Sequence, residues 1–394
     1  MKNQDVFILG ASRTPMGAFG GHLSSLSAVD LGIEATKNAL KKSDIGADEI
    51  QAIVMGNVLS ANLGQAPARQ VSIGSGIPYS ACATTVNKVC ASGMKAIQIL
   101  SNDIRLGDIE IGIAGGMESM SSVPFYLPKS RWGLGYGDGN LPDGLSKDGL
   151  TDAYSHKAMG VSGDITAEKY KISREEQDDF AQLSYERSQK SWNTKAFDGE
   201  VSSVSVPQKK GQVIQIFEDE AYTKANFEKM RQLKPVFSSE GTVTAANSSP
   251  LSDGASALVL ASQNYMISKG ILPKFKIIAY AEAEQEPDLF TTSPVLATQK
   301  VLNKAGMTLN DIDFFEVNEA FAVVPLAFMK LLNLKENKLN VLGGAVSLGH
   351  PLGSSGSRIV ITLMNILERH SSRFGLAAIC NGGGGASAII IEKL

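Results

Sequence analysis

Two cysteines and one histidine stand in glycine-bearing segments that suit reactive chemistry. They are Val89-Cys90-Ala91-Ser92-Gly93, Gly349-His350-Pro351-Leu352-Gly353 and Cys380-Asn381-Gly382-Gly383-Gly384-Gly385. A thiol can attack a carbonyl and an imidazole can take its proton. Glycine lets backbone N–H groups turn toward the oxygen that gains charge. These are the parts of acyl transfer. Cys90 falls where a strand over 84–89 passes into a helix, and a helix N-terminus favours thiolate. Each residue also has a plainer reading, as a small buried hydrophobe for either cysteine and a turn residue for His350. The choice depends on whether the three meet in space.

The elements that would position them come in two copies. One offset carries Ala35-Thr36 onto Ala297-Thr298 and Glu49-Ile50 onto Asp311-Ile312. Each copy reads as an amphipathic helix, a short acidic turn and an apolar strand, Ala52-Ile53-Val54-Met55 or Phe314-Phe315-Glu316-Val317. Nearly the same offset carries the Cys90 segment onto Leu352-Gly353-Ser354-Ser355-Gly356-Ser357-Arg358. Helices over 96–106 and 359–367 follow, then strands over 109–114 and 376–379. Alternation of this kind predicts α/β layers with mostly parallel sheets. His350 lies just ahead of the segment that matches Cys90, so halves that face each other would bring the two together.

Between the copies the composition changes. Residues 121–246 are rich in Gly, Pro, Lys and Asp, with one clear helix whose start is marked by Ser173 and Glu176 in a capping box. A long insertion of this kind is expected over the active face.

The bulk numbers narrow the class. The chain has 394 residues, 43% hydrophobic and 20% charged, with a net charge of −3. That balance gives no electrostatic case for nucleic acid. No apolar run approaches a membrane span, and no signal-peptide core opens the chain. The three cysteines, Cys82, Cys90 and Cys380, form no disulfide framework. A cytoplasmic location is expected, with a processed mitochondrial form as the alternative. The glycine run after Cys380 lacks the Gly-Lys-Ser/Thr of a nucleotide loop, and no Cys-x-x-Cys or paired-His spacing suggests a metal.

Five segments together carry a family resemblance: Asn87-Lys88-Val89-Cys90-Ala91-Ser92-Gly93-Met94-Lys95-Ala96, Ala114-Gly115-Gly116-Met117-Glu118-Ser119-Met120, Asn318-Glu319-Ala320-Phe321, Gly343 to Pro351, and Cys380-Asn381-Gly382-Gly383-Gly384. They resemble the motifs of thiolases along the whole chain. Gly241-Thr242-Val243-Thr244-Ala245-Ala246-Asn247 and the Cys380 tail are most similar to the biosynthetic, acetyl-CoA-condensing type, cytosolic and mitochondrial.

That resemblance implies a fold of two βαβαβαββ halves in a five-layered α-β-α-β-α core. The halves would be 1–120 plus 247–270 and 271–394, with 121–246 as a loop domain that binds CoA and carries a tetramerisation loop over 123–141. It implies reversible condensation of two acetyl-CoA to acetoacetyl-CoA and CoA. Cys90 would carry the acetyl group and His350 would take its proton. Cys380 would be the acid/base on the second substrate, Asn318 would hold a water at one oxyanion site, and the N–H groups of Cys90 and Gly382 would form the other. Ser249, Met159, Phe321, Ala245 and Leu348 would line the CoA and acyl site. No covalently bound cofactor is implied. A potassium site would involve Tyr222, Ala245, Ala246, Ser248 and Val346. The partners implied are CoA, its acyl esters and further copies of the chain in a homotetramer.

The sequence departs from the family pattern at Ala158, where many thiolases have His, and at Leu342, where Asn is common. Phe290-Thr291 stands where the potassium-activated form has Phe-Pro. Two rival readings are a degradative 3-ketoacyl-CoA thiolase of broader chain length and a non-catalytic acyl-CoA or lipid carrier. Basic Lys209, Lys210 and Arg231 are nominated for the phosphates of CoA.

Overall fold

The computed structural model describes residues 4–394. The first half runs β1 (Val6–Arg13), α1 (Ala28–Ser43), β2 (Ala52–Gly56), α2 (Pro67–Gly74), β3 (Cys82–Val86), α3 (Ser92–Leu106) and β4 (Ile111–Ser119), and it closes after the insertion with β5 (Ser252–Ser262). The insertion supplies α4 (Gly160–Tyr170) and α5 (Arg174–Asn193). The second half runs β6 (Phe275–Glu284), α6 (Ser293–Ala305), β7 (Phe314–Val317), α7 (Val323–Leu332), α8 (Leu352–Arg369), β8 (Phe374–Asn381) and β9 (Gly385–Lys393).

The strands lie in the order β7-β8-β9-β6-β1-β5-β4-β2-β3, and Gly17–Ala18 pairs with β5. The two halves mirror one another. β2 is parallel to β4 as β7 is to β8, and β4 meets β5 antiparallel as β8 meets β9. The strand that would match β3 is reduced to one bridge, Phe315 to Leu339. Only three residue pairs join β1 to β6. The expectation of mostly parallel sheets is corrected. Antiparallel contacts at β4–β5, β1–β5, β8–β9, β6–β9 and β1–β6 make the sheet mixed. The reason lies in the connections. A tight glycine turn returns β9 directly against β8, and a tight turn can only give an antiparallel neighbour.

Alternation along the strands builds the layers. In β2, Val54 faces inward while Ile53 and Met55 face α1 and α2. In β8, Ala377 and Ile379 face inward while Leu376 and Ala378 face α6 and α7. Helices α3 and α8 are sandwiched between the half-sheets, with Ile97, Leu100 and Ile104 packed among Val360, Leu363 and Leu367. The result is five layers, α-β-α-β-α.

Helices α3 and α8 cross at backbone distance. A Cβ on Gly93 would stand 2.8 Å from the Ser357 nitrogen, and one on Gly356 2.5 Å from the Met94 nitrogen. Both helices start earlier than the apolar periodicity indicates. Their first turns are Ser- and Gly-rich because the partner helix, not a bulky side chain, fills the space.

The insertion is tied to β1 by a buried ion cluster. Arg13 donates from Nε to Glu200 at 2.6 Å and from Nη1 and Nη2 to Asp219 at 2.7 and 3.0 Å, and Trp192 donates to Asp219 at 3.1 Å. Removing one member of such a cluster leaves charge buried and unpaired. Arg13→Leu is therefore expected to destabilise the fold by about 3–5 kcal/mol, read as a lower urea midpoint.

Candidate active site

The Cys90 turn is built before α3 begins. Val89 has φ +46°, a conformation that β-branched residues avoid. Three bonds hold it. Val89 N–H donates to Asn87 Oδ1 at 2.9 Å, Lys88 N–H donates to Ser92 Oγ at 2.8 Å, and Ser92 Oγ donates to the Val89 carbonyl at 2.6 Å. His350 follows Gly349 at φ +118° and immediately precedes Pro351, the cap of α8. Because α3 and α8 cross on their glycines, the turns before them open on one cavity of about 300 Å³, which both Cys90 and His350 line.

Gly382, Met159, Phe321 and Ser249 line the same cavity. Met159 comes from the start of α4, and Phe321 stands edge-on to Phe237 at 6.2 Å between ring centres. The Ser249 hydroxyl donates to the Ala320 carbonyl at 2.9 Å and keeps its lone pairs free. Cys380 is fully buried at the end of β8, close enough to feel a charge on Cys90. Asn318 is fully buried too, with Nδ2 3.4 Å from His350 Nε2.

Two nominated contacts lie elsewhere. Leu348 packs with Ala196, Phe197, Leu342 and Ile366 in a separate core, because its short helix Ala345–Leu348 turns that side chain away from the cavity. Ala245 is exposed and does not line the cavity. Lys209 and Lys210 sit exposed between the strands Val204–Pro207 and Val213–Ile216, and Arg231 is paired with Asp179. Of the potassium positions, Tyr222 stacks on Trp192 and donates to Glu218, Ser248 donates to the Thr244 carbonyl at 2.6 Å, and Val346 N–H donates to Glu319 at 3.1 Å. Ala246 is half-buried and stands just ahead of Asn247 and Ser248.

The electrostatics revise one expectation. The start of α3 does not make Cys90 a thiolate. Burial pushes the thiol up to about 12, against the pull of the Gly382 and Cys90 N–H groups, and Glu118 adds to the rise. Burial and then Cys90 raise Cys380 well above the ordinary thiol range. Desolvation outweighs two N–H donors, so both sulfurs rest protonated and a base must act in step with attack.

His350 is suited to that task. Its Nδ1 lies 2.6 Å from Ser355 Oγ, which itself donates to the Pro351 carbonyl at 2.9 Å. Ser355 therefore accepts from Nδ1–H, and Nε2 carries the lone pair. Burial, then the charge on Arg358, lowers His350 to about 3, so the ring is neutral.

A stability signature follows. An unfolded histidine takes a proton near pH 6.5, while the folded ring refuses it until about pH 3. Between those values the unfolded state binds more protons, so this group subtracts stability as pH falls. The difference in unfolding free energy between wild type and His350→Asn should shift against wild type by at most about 1.4 kcal/mol per pH unit across that window. Urea titrations from pH 6.5 to 4 measure it.

Three residues near the site have no role in the sequence reading. Ser355 orients the imidazole. Arg358, fully buried, bonds Glu316 at 3.0 Å and Asn318 Oδ1 at 3.5 Å. Glu118 accepts from the N–H groups of Val58, Leu59 and Gly353 and from Asn57, at 2.8 to 3.1 Å, and so ties the halves together. The duplication held a signal for two of them, since Ser355 and Arg358 stand where Ser92 and Lys95 stand in the first copy.

Known proteins match this chain in sequence and fold. The description "Thiolase, N-terminal domain" matches residues 6–264 and "Thiolase, C-terminal domain" matches residues 271–393. The chain belongs to the thiolase family. As a thiolase it is an acyltransferase. It is 50% identical over 395 residues to an acetyl-CoA acetyltransferase of Schizosaccharomyces pombe, covering 100% of both chains. It is 50% identical over 393 residues to acetyl-CoA acetyltransferase 2 of Arabidopsis thaliana, covering 99% and 98%. The thiolase fold is shared with the crystal structure of Acat5 thiolase from Ascaris suum in complex with coenzyme A. That likeness has a TM-score of 0.95 at 45% identity and covers 99% of this chain and 100% of the other. The acetyl-CoA acetyltransferase of Bacillus anthracis gives a TM-score of 0.97 at 34% identity, covering 100% of both.

Proposed function

We propose that this thiolase is an acetyl-CoA C-acetyltransferase that works by a ping-pong exchange through acetyl-Cys90. One observation carries the reading: the turns before two crossing helices deliver Cys90 and His350 to one apolar cavity, with Gly382 in its wall and Cys380 behind. In the first half-reaction Cys90 Sγ attacks the thioester carbonyl as His350 Nε2 takes its proton. The C–S bond to CoA breaks and CoA leaves as the thiol. In the second, Cys380 first passes its thiol proton to His350 Nε2, and the resulting thiolate removes a methyl proton from another acetyl-CoA. The new carbon nucleophile attacks acetyl-Cys90, the C–S bond to Cys90 breaks, acetoacetyl-CoA forms, and Cys90 takes back a proton from His350. Thiolysis is the same path reversed.

Charge forms on oxygen in both steps. The Cys90 and Gly382 N–H groups, which face the Cys90 sulfur, would receive the acyl oxygen. His350, protonated at Nε2, and a water held by Asn318 would receive the enolate oxygen. Ser249 would meet the pantetheine arm, with Met159 and Phe321 against the acyl group.

The division into 1–120 plus 247–270, 121–246 and 271–394 belongs to the same reading. Ser146, Leu150, Met159 and Phe237 of the central segment line the cavity, which supports its role in covering CoA. A homotetramer is supported by exposed Phe125, Trp132, Leu134 and Tyr136, since such a surface is costly in water. The half-exposed edge strand β3 could pair with another copy. Potassium would be held by oxygens around Tyr222, Ala245, Ala246, Ser248 and Val346, and the short helices that carry Tyr222 and Val346 adjoin. Cytoplasmic residence is supported by three free cysteines, and no helix among the described residues is long and apolar enough to cross a membrane.

Chain-length kinetics separate this reading from a degradative thiolase. Phe290, Phe321 and Met159 close the cavity. A longer acyl chain gains about 0.8 kcal/mol per buried CH₂ only where room exists. We expect kcat/KM to fall from acetoacetyl-CoA to six- and eight-carbon 3-ketoacyl-CoA. A rise with chain length would favour the degradative alternative.

A further inference from the structure

We propose that Arg358 is a positioning residue for acyl transfer. It fixes the Asn318 amide, and through it His350, in the arrangement that presents a base to Cys90. The proposal rests on the catalytic reading above.

Arg358 lies on α8, one turn after Ser355, and is 1% exposed. Its Nη1 donates to Glu316 at 3.0 Å and its Nη2 to Asn318 Oδ1 at 3.5 Å. A guanidinium offers only donors, so Asn318 must turn its carbonyl toward Arg358. The amide nitrogen then faces the other way, 3.4 Å from His350 Nε2. At the opposite end of the ring, Ser355 receives Nδ1–H. One face of α8 therefore sets both ends of the imidazole, through Ser355 directly and through Arg358 by way of Asn318.

Without the guanidinium only the His350 Nε2 lone pair, at 3.4 Å, favours one end of the Asn318 amide over the other. A flip would set its carbonyl against the Nε2 lone pair, two acceptors face to face. The ring would rotate or change tautomer, and either would withdraw the base. Lysine cannot substitute fully, because a point charge cannot serve Glu316 and Asn318 in one rigid plane.

The test is the rate of acetyl-Cys90 formation, followed by rapid quench and mass analysis with acetyl-CoA. Arg358→Met alone would strand the Glu316 carboxylate, so it is paired with Glu316→Gln. The double variant should acetylate to the wild-type extent at a rate lower by about 10²-fold. Its KM for acetyl-CoA should stay within about threefold of wild type, as for a change that spares ground-state binding. Arg358→Lys should fall between. A folded double variant that acetylates at the wild-type rate overturns the proposal. So does one with a reduced extent at an unchanged rate, which marks a merely structural role. If the double variant does not fold, Arg358→Lys decides: slower acetylation to full extent supports the proposal, and the wild-type rate refutes it. Failure of wild type itself to acetylate Cys90 is a separate outcome, and it overturns the catalytic reading.

Discussion

Cys90→Ala should lower the condensation and thiolysis rates by at least about 10⁴-fold, as removal of a covalent nucleophile does where the remaining site still binds substrate. The physical reason is specific to this cavity. The Cys90 sulfur is the group toward which the Gly382 and Cys90 N–H donors converge, and burial holds its pKa near 12. The thiol is thus inert until a substrate carbonyl arrives and His350 Nε2 takes the proton. Alanine leaves donors, base and cavity in place but removes the atom that bonds carbon. A water in its place would have neither the polarisable sulfur nor the fixed approach. Steady-state assays in both directions measure the loss. Retention of more than about one-hundredth of the activity, far above what such a deletion leaves, would mean that another residue carries the acyl group.

Cys380→Ser should uncouple the two half-reactions. Serine nearly preserves the shape but gives up acidity, so removal and return of the methyl proton should slow by about 10²–10⁴-fold, the usual contribution of a general acid or base. Cys90, His350 and the Gly382 N–H are untouched, so acetylation of Cys90 by acetyl-CoA should proceed at close to the wild-type rate. A burst of one CoA per chain followed by near-silence is the expected trace. Loss of the burst would instead place Cys380 in the first step, and full turnover would remove it from the chemistry.

Much of the fold was legible because two copies of one pattern must build two copies of one unit. The matched segments around Ala35 and Ala297 gave α1 and α6, and the Ser173–Glu176 signal gave the start of α5, where Ser173 accepts from Glu176 N–H as a capping box requires. Helix starts were less legible. Ser92–Met94 and Leu352–Gly356 carry small residues because α3 and α8 press backbone on backbone there, so periodicity misses the first turns. Strand direction was misread for a similar reason. Nothing in the residues of β5 says which way its neighbour runs, and for β9 the glycine turn after Cys380 decides it.

At the site, residue types and family motifs point to Cys90, His350, Cys380, Asn318 and Gly382; Cys90, His350 and Gly382 line one cavity, Asn318 lies against His350, and Cys380 is buried within reach of a charge on Cys90. Protonation was not legible. A helix start beside Cys90 argues for thiolate, yet the same crossing that positions Cys90 also dries it, and desolvation wins. Leu348, nominated by the family resemblance, packs instead with Ala196, Phe197, Leu342 and Ile366, because sequence does not say which side of a four-residue helix faces the cavity. Arg358 is not singled out by the sequence, because a basic residue inside an apolar helix pattern carries no sign of burial. Its role appears only when Glu316 and Asn318 arrive from the neighbouring strand.

The central claim is that Cys90 alone carries the acyl group while His350 and Cys380 move protons. Peptide mass analysis of the folded protein after brief exposure to acetyl-CoA tests it most directly. One acetyl group per chain should appear on the peptide bearing Cys90, persist in Cys380→Ser and vanish in Cys90→Ala. An unmodified Cys90 in folded protein, or an acetyl group found on Cys380 instead, would contradict the account.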